Sequence, residues 1–484
     1  MTKLDPLYDL IVLGGGAVGE NVAERAVLGG LRVLLVEHEL VGGDCSYWAC
    51  MPSKALLRSA GALRAARSVA GAREAVTGAL DANAVLERRN SFTSHWDDSG
   101  QVSWLEGAGI ALARGHGRLD GERRVVITDA EGVEQTVDAR HAVAVCTGSD
   151  ALIPPVPGLA ESRPWTAREA TSAQEVPARL AIIGGGVVGC ELATAWTALG
   201  ASVTLISRGT LLGGVEPFAG VAVAQRLQQD GARVLMHASA SEVRRDGDGP
   251  VRIVLDSGDV VEADEVLVAT GRLPRTTGIG LETVGLEDGA WIDVEDTLRV
   301  VGSDWLYAIG DVTHRALLTH QGKYQARAAG DVIVARARGE RVDDAPWGAH
   351  VATADHAAVP QVAFTSPEVA SVGLTAAAAD AAGVRTRVVD YALGRVAGAA
   401  VHADGYEGTA RLVIDDERDV VIGFTVVGDD VAELLHAATV AVVGEVPIAR
   451  LQHAVPSYPT MSEVWLRLLE TDRAQRASGA TLRA

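Results

Sequence analysis

Cysteine is scarce in this chain: four residues in 484, Cys45, Cys50, Cys146 and Cys190. So few thiols cannot staple a long chain, which excludes a disulfide scaffold. Positive charge is also short, since 43 Lys and Arg against 63 Asp and Glu leave a formal charge of −20. Nucleic acid and anionic membrane surfaces both need a basic face, so neither is expected as a partner. No run of 18 apolar residues escapes a charge or a breaker, so no membrane span is expected. The opening Met1-Thr2-Lys3-Leu4-Asp5-Pro6 lacks the basic cluster and apolar run of a secretory signal, and a cytoplasmic setting is expected. No metal site is read from the sequence. What is abundant is apolar residue, 48% of the chain. At this length it predicts three or four domains, each with its own core.

The most informative feature is an internal echo. Residues 9–37 read DLIVLGGGAVGENVAERAVLGGLRVLLVE, and residues 180–208 read LAIIGGGVVGCELATAWTALGASVTLISR. Each is an apolar strand, a G-x-G-x-x-G turn, an amphipathic helix, a glycine and a second apolar strand. The glycines are Gly14, Gly16 and Gly19 in the first and Gly184, Gly186 and Gly189 in the second. From first glycine to the end of the second strand the spacing is 37 − 14 = 23 and 207 − 184 = 23. One such turn is a weak signal, but two in full βαβ context are strong evidence for two dinucleotide sites. The glycines let the backbone approach a pyrophosphate, and the following helix N-terminus supplies free N–H groups.

The two strand ends differ. Glu37 stands where a carboxylate accepts hydrogen bonds from unphosphorylated ribose hydroxyls. In the second unit Ser207 replaces it and Arg208 follows, which suits a 2′-phosphate and favours NADPH over NADH. Two strand–turn pieces, ending in Thr147-Gly148 and Thr270-Gly271, would each close a nucleotide-binding domain near 150 and 275. Pro154, Pro155 and Pro157 mark the crossing into the second domain. The Ala/Arg/Leu-rich helical stretch between 60 and 90 carries no assignable chemistry. From about 350 the pattern becomes strands and helices without glycine fingerprints, a separate α+β domain. Cys146 and Cys190 read as core packing.

Residues 42–54, GGDCSYWACMPSK, place Cys45 and Cys50 at the start of a helix, with Pro52, Ser53 and Lys54 following. This resembles the active-site motif of the flavoprotein disulfide reductases, among them dihydrolipoamide dehydrogenase, glutathione reductase and mercuric reductase. The resemblance covers nearly the whole chain. It includes both glycine turns, the Thr-Gly turns, Tyr307-Ala308-Ile309-Gly310-Asp311, and Phe364-Thr365-Ser366-Pro367-Glu368 with Val372-Gly373-Leu374. It implies bound FAD and a nicotinamide nucleotide, NADPH or NADH. The fold it implies is α/β, with two Rossmann-like dinucleotide-binding domains plus a C-terminal α+β dimerisation domain. The expected boundaries are 1–150 for FAD, 151–275 for NAD(P), 276–345 for a return to the FAD domain, and 346–470 for the interface of a homodimer.

A helix N-terminus and a nearby ammonium lower a thiol pKa, so a reduced pair here can hold a thiolate. Lys54 shares a helix face with Cys50. The resemblance pairs it with Glu191 beside the flavin, puts Cys50 next to the flavin, and gives Cys45 the exchange with substrate. It gives Asp311 the ribitol or pyrophosphate region and runs Ala316-Leu317-Leu318-Thr319-His320 beneath the isoalloxazine.

Three departures matter. The family's C-terminal His-Pro-Thr-x-x-Glu reads Tyr458-Pro459-Thr460-Met461-Ser462-Glu463, so a tyrosine stands where the acid–base histidine would serve the other subunit. A phenol with a pKa near 10 is a poor base at neutral pH. His453 is five residues out of register and reads as a surface or packing histidine. Mercuric reductases share a tyrosine there and an Arg after the second nicotinamide strand. They also carry a C-terminal cysteine pair, which residues 472–484 lack, and dedicated mercury detoxification is disfavoured. Finally, Ser46-Tyr47-Trp48-Ala49 is bulkier than usual, lining an acceptor pocket or packing the helix, and Asp44 should oppose a thiolate at Cys45.

The expected function is an NAD(P)H-dependent FAD disulfide oxidoreductase passing electrons through Cys45–Cys50 to a small-molecule acceptor: a quinone, a metal ion or a small disulfide. Rivals are a dihydrolipoamide dehydrogenase, and a redox-sensing or structural flavoprotein subunit without rapid turnover.

Overall fold

A computed structural model describes residues 4–481. Met1–Lys3 of the segment read for a signal, and Leu482–Ala484 of the C-terminal stretch, lie outside the described residues. The chain divides into two compact units.

The first unit comprises residues 1–52, 89–152 and 271–355. Its parallel core runs in the order Ala111–Arg114, Val33–Glu37, Leu7–Leu13, Glu134–Val145. Leu306–Ala308 adds a further parallel strand on Glu134–Val145. Antiparallel strands Arg124–Thr128 and His116–Leu119 extend the other end. Leu10, Ile11, Val12 and Leu13 are all buried, the pattern of a strand covered on both faces. The helices Ala17–Leu28 and Thr319–Ala337 pack together. A Cβ on Gly330 would lie 2.5 Å from that of Arg25, so glycine permits the close crossing. Arg25 and Asp331 then pair across it at 2.7 Å.

The second unit comprises residues 53–88, 153–270 and 356–484. It repeats the parallel arrangement in the order Arg233–Met236, Ser202–Ser207, Arg179–Ile183, Glu265–Val268. A three-stranded antiparallel sheet, Ala240–Arg245, Val251–Leu255 and Val260–Ala263, is inserted in the chain between Arg233–Met236 and Glu265–Val268. After residue 356 the sheet type changes. Five antiparallel strands run in the order Gln361–Ala363, Glu368–Gly373, Val420–Gly428, Gly408–Asp415, Thr386–Ala392. Helices Leu435–Val443 and Glu463–Thr481 pack on this sheet. The fold is thus α/β, with two Rossmann-like sheets and a C-terminal α+β part. No helix among the described residues is long and apolar enough to cross a membrane.

Candidate active site

In the first unit Gly14 leaves its strand at φ +100°, where a Cβ would sit 2.4 Å from the Cys146 carbonyl oxygen. Gly19 packs against the Gly14 carbonyl, leaving 1.9 Å for a side chain. Gly16 is different: a Cβ there meets nothing nearer than Gly43 Cα at 3.9 Å. Two glycines therefore shape the turn and the third keeps its surface bare. Above it lies a cavity of about 370 Å³, lined by Gly14, Gly16, Glu37, Cys45, Thr147 and Asp311 among others. Its volume falls within the range of cofactor pockets, about 300–1,000 Å³. Glu37 accepts from the Gly15 and Glu39 N–H groups, both at 2.7 Å. Gly148 turns at φ +79°. The Thr147 hydroxyl is buried with no partner among the described residues, and so is available to a ligand in the cavity it lines. A bare glycine, an unpaired hydroxyl and a strand-end carboxylate fit an adenosine diphosphate group such as that of FAD.

Gly310 turns at φ +83° and donates its N–H to Gln325 Oε1 at 2.8 Å, presenting Asp311 to the same cavity. Ser149 Oγ donates to Asp311 Oδ2 at 2.5 Å. Gly271, at φ +154°, accepts at its carbonyl from the Leu152 N–H at 2.9 Å. The next residues, Arg272–Pro274, pair with Ser149–Ala151.

Cys45 lies in the short helix Gly43–Tyr47, and Cys50 opens the long helix Cys50–Arg67. Both are free thiols. Their side chains are hydrogen-bonded to each other, and that bond, followed by burial and by charge on Cys50, pushes the Cys45 thiol well up. Thr319 and Lys323 act weakly the other way. The closeness of Cys50 thus disfavours ionisation of Cys45. Cys50 Sγ lies 3.2 Å from Thr319 Oγ1. Its place at a helix N-terminus favours the thiolate there. Of the bulky residues between the thiols, Tyr47 is buried, with its hydroxyl donating to the Val41 carbonyl at 3.1 Å, while Trp48 lines the cavity. Asp44 does not bear its charge alone, because Arg272 and Arg275 each approach it to 3.5 Å.

In the second unit the glycine turn is rebuilt. Gly184 sits at φ +128° with 2.2 Å for a Cβ against the Ala269 carbonyl oxygen; Gly189 has 1.9 Å against Gly184; Gly186 faces open space. A Cβ on Gly185 would touch Ser207 Oγ at 2.3 Å, as one on Gly15 would touch Glu37 Cβ at 3.0 Å. Ser207 is buried and Arg208 exposed, the latter with no hydrogen-bond or ion-pair partner among the described residues. Lys54 Nζ donates to Glu191 Oε2 at 2.7 Å and lies 5.0 Å from the Phe364 ring centre. Glu191 is only 3% exposed, and its other oxygen accepts from the Phe364 N–H at 2.9 Å.

Tyr458 is 76% exposed. Glu463 is buried; Oε1 accepts from Arg467 at 2.6 Å and Oε2 has no partner among the described residues. His453 is exposed. Cys146 and Cys190 are buried, and burial pushes Cys190 up to about 12. Both are inert core thiols. No group of three or more His, Cys, Asp or Glu among the described residues could hold a metal ion.

Sequence reasoning missed Ser149, the contact of Thr319 with Cys50, and the pairing of Arg275 with Asp44. Arg275 stands three residues beyond Arg272, and nothing in the pattern joins it to a residue 231 positions away.

The model of the family described as pyridine nucleotide-disulphide oxidoreductase matches residues 8–336, and that of its dimerisation domain matches 359–468. The chain belongs to this family. It is similar to a mercuric reductase of Acidithiobacillus ferrooxidans, 32% identical over 94% of this chain and 80% of that protein. A dihydrolipoyl dehydrogenase of Chlamydia trachomatis is 31% identical over 96% of each. Among solved structures, LpdA of Mycobacterium tuberculosis superposes with a TM-score of 0.80 at 25% identity, covering 95% of this chain and 98% of that one. RclA of Escherichia coli, described as an HOCl-induced flavoprotein disulfide reductase, superposes with a TM-score of 0.81 at 21% identity, covering 96% and 99%, and shows the shared fold. Members of the family are FAD-dependent oxidoreductases that use pyridine nucleotides, and the dimerisation domain supports a homodimer.

Proposed function

We propose that this family member takes reducing equivalents from NADPH in preference to NADH and passes them through Cys45 and Cys50 to a small-molecule acceptor. The observation that carries the reading is the hydrogen-bonded thiol pair, Cys45 on the cavity wall and Cys50 at a helix N-terminus. Residues 1–150 and 276–345 would form the FAD domain, 151–275 the NAD(P) domain and 346–470 the dimer interface. Gly14, Gly16, Gly19, Glu37, Thr147, Gly148, Gly310 and Asp311 would hold FAD, which when bound supplies two-electron transfer between nicotinamide and disulfide.

The chain's own residues do the rest. Two electrons and one proton break the Cys45–Cys50 bond and leave a Cys45 thiol hydrogen-bonded to a Cys50 thiolate. Thr319 Oγ1 and the helix N-terminus steady that thiolate. Lys54, one turn on in the same helix, is held by Glu191. Gly184, Gly186, Gly189 and Gly271 would shape the nicotinamide site, with Arg208 on the 2′-phosphate. Support for NADPH is the unpartnered Arg208 beside a strand end that lacks a carboxylate.

Tyr458 in place of a base favours acceptors that need no strong proton donor, a quinone or a metal ion, over a small disulfide. A metal ion also accords with the mercuric reductase relative. A second reading, dihydrolipoamide dehydrogenase, is favoured by relatives of that name, and NAD-linked lipoamide turnover would establish it. Steady-state rates far below ordinary enzyme values with every acceptor would instead favour a redox-sensing subunit.

The test is an anaerobic NADPH titration followed by visible absorbance. A long-wavelength thiolate-to-flavin band should appear after two electrons. Cys50→Ser should retain FAD, lose that band and abolish disulfide chemistry. Bleaching of wild-type flavin with no band would overturn the dithiol reading.

A further inference from the structure

Asp44 immediately precedes Cys45 in the first turn of Gly43–Tyr47. Alone, that carboxylate would oppose every step in which Cys45 carries negative charge. It is gripped at both oxygens: Arg272 Nη2 lies 3.5 Å from Oδ2 and Arg275 Nη2 lies 3.5 Å from Oδ1. The two arginines are themselves anchored. Arg272 donates from Nε to Ser149 Oγ and from Nη2 to the Ser149 carbonyl, both at 2.5 Å, and passes 3.7 Å from Asp311. Arg275 donates to Asp150 at 2.6 Å, and its backbone N–H donates to the Gly148 carbonyl at 3.0 Å. Burial works against the Arg275 charge, but Asp150 and Asp44 outweigh it, so the guanidinium stays charged.

The groups acting directly on Cys45 are Cys50 from the next helix, and Thr319 and Lys323 from the helix Thr319–Ala337; beside it in the chain stands Asp44, paired with Arg272 and Arg275, which are backed by Asp311 and Asp150. Arg272 spends two bonds on Ser149, whereas Arg275 holds only the half-exposed Asp150 besides Asp44. Arg275 is thus the freer counterion.

We propose that Arg275 is a positioning residue for Cys45: with Arg272 it neutralises Asp44 and pins the turn that carries the exchange thiol. This rests on the dithiol reading above. Removing the guanidinium leaves the Asp44 charge beside a thiol that must ionise to attack an acceptor. Removing Asp44 has the opposite effect, and removing both cancels.

The measurement is the rate of iodoacetamide alkylation of Cys45 in two-electron-reduced holoenzyme as a function of pH, with the modified peptide identified by mass. Arg275→Asn should move the half-maximal pH of Cys45 alkylation up by about one unit, the size expected for one uncompensated nearby charge at an effective dielectric near 20. Asp44→Asn should move it down, the double variant should return close to wild type, and Arg275→Lys should restore most of the wild-type profile. FAD absorbance and melting temperature identify any variant that fails to assemble; Asp44→Asn and Arg275→Lys then carry the test. A reactive Cys45 whose profile ignores all four variants would overturn the proposal alone. A wild-type Cys45 that is not alkylated after reduction would overturn the dithiol reading and the proposal with it.

Discussion

Arg208 and Glu20 are single charges whose surroundings lead to testable expectations. Arg208 is exposed just beyond a strand that ends in the buried, uncharged Ser207. If it meets a 2′-phosphate, the charge-assisted bond contributes about 1.5–3 kcal/mol. Arg208→Glu should therefore lower the NADPH-to-NADH ratio of kcat/KM by about tenfold to a hundredfold. An unchanged ratio would remove the phosphate assignment. Glu20, next to Gly19, is pushed up to about 7 by burial, against the pull of Lys323 and with Glu24 and Glu37 adding to the rise. Folded protein then holds a proton that unfolded protein releases between about 4.5 and 7. Stability thus falls as pH rises through that window and levels off above it. Glu20→Gln should leave the melting temperature unchanged below the window. Near pH 8 it should raise stability by on the order of 2–3 kcal/mol. Equal effects at both ends would mean that Glu20 ionises freely.

At the scale of elements, the same βαβ turn is built twice with nearly the same tolerances. Gly19 and Gly189 each leave 1.9 Å between a notional Cβ and the carbonyl of the first glycine in the turn. The turns belong to different units, so they can be damaged separately. Gly189→Ala should keep FAD but slow nicotinamide-driven reduction by about a hundredfold, the effect of misplacing reactants by about 1 Å. Rapid-mixing absorbance would read it, and loss of FAD from this variant would contradict the division of labour. These turns were legible in the sequence because a G-x-G-x-x-G between apolar strands is a local pattern with a local steric cause. So were the strand ends Glu37 and Ser207, fixed by a spacing of 23 residues, with Arg208 following. Contacts without a local signature were not legible. Thr319 reaches Cys50 across 269 residues, and Arg275 reaches Asp44 across 231. Asp44 was therefore read as a bare charge beside Cys45, whereas the fold supplies two counterions.

For the molecule as a whole, the C-terminal sheet lies in the part that matches the family's dimerisation domain, which supports a homodimer. It is also where this chain leaves its family's pattern. Tyr458 stands out in solvent while Glu463, five residues on, is buried with one oxygen unpaired among the described residues. If a missing base limits exchange with small disulfides, Tyr458→His should raise lipoamide or glutathione-disulfide turnover at least about tenfold, since a placed acid–base group contributes about 10²–10⁴. No gain would put the limit in the shape of the pocket.

The ion pair between Lys54 and Glu191 has a practical consequence. Of the 43 basic residues only three are lysines, Lys3, Lys54 and Lys323. An amine held at 2.7 Å by a buried carboxylate must leave that bond to attack a reagent, so acylation of Lys54 in native protein reports on that one bond. Cleavage after lysine divides the chain at the same points, placing Cys45 and Cys50 together on the peptide 4–54 and Cys146 with Cys190 on 55–323. The oxidation state of Cys45 and Cys50 can thus be weighed on one peptide, free of the two core thiols.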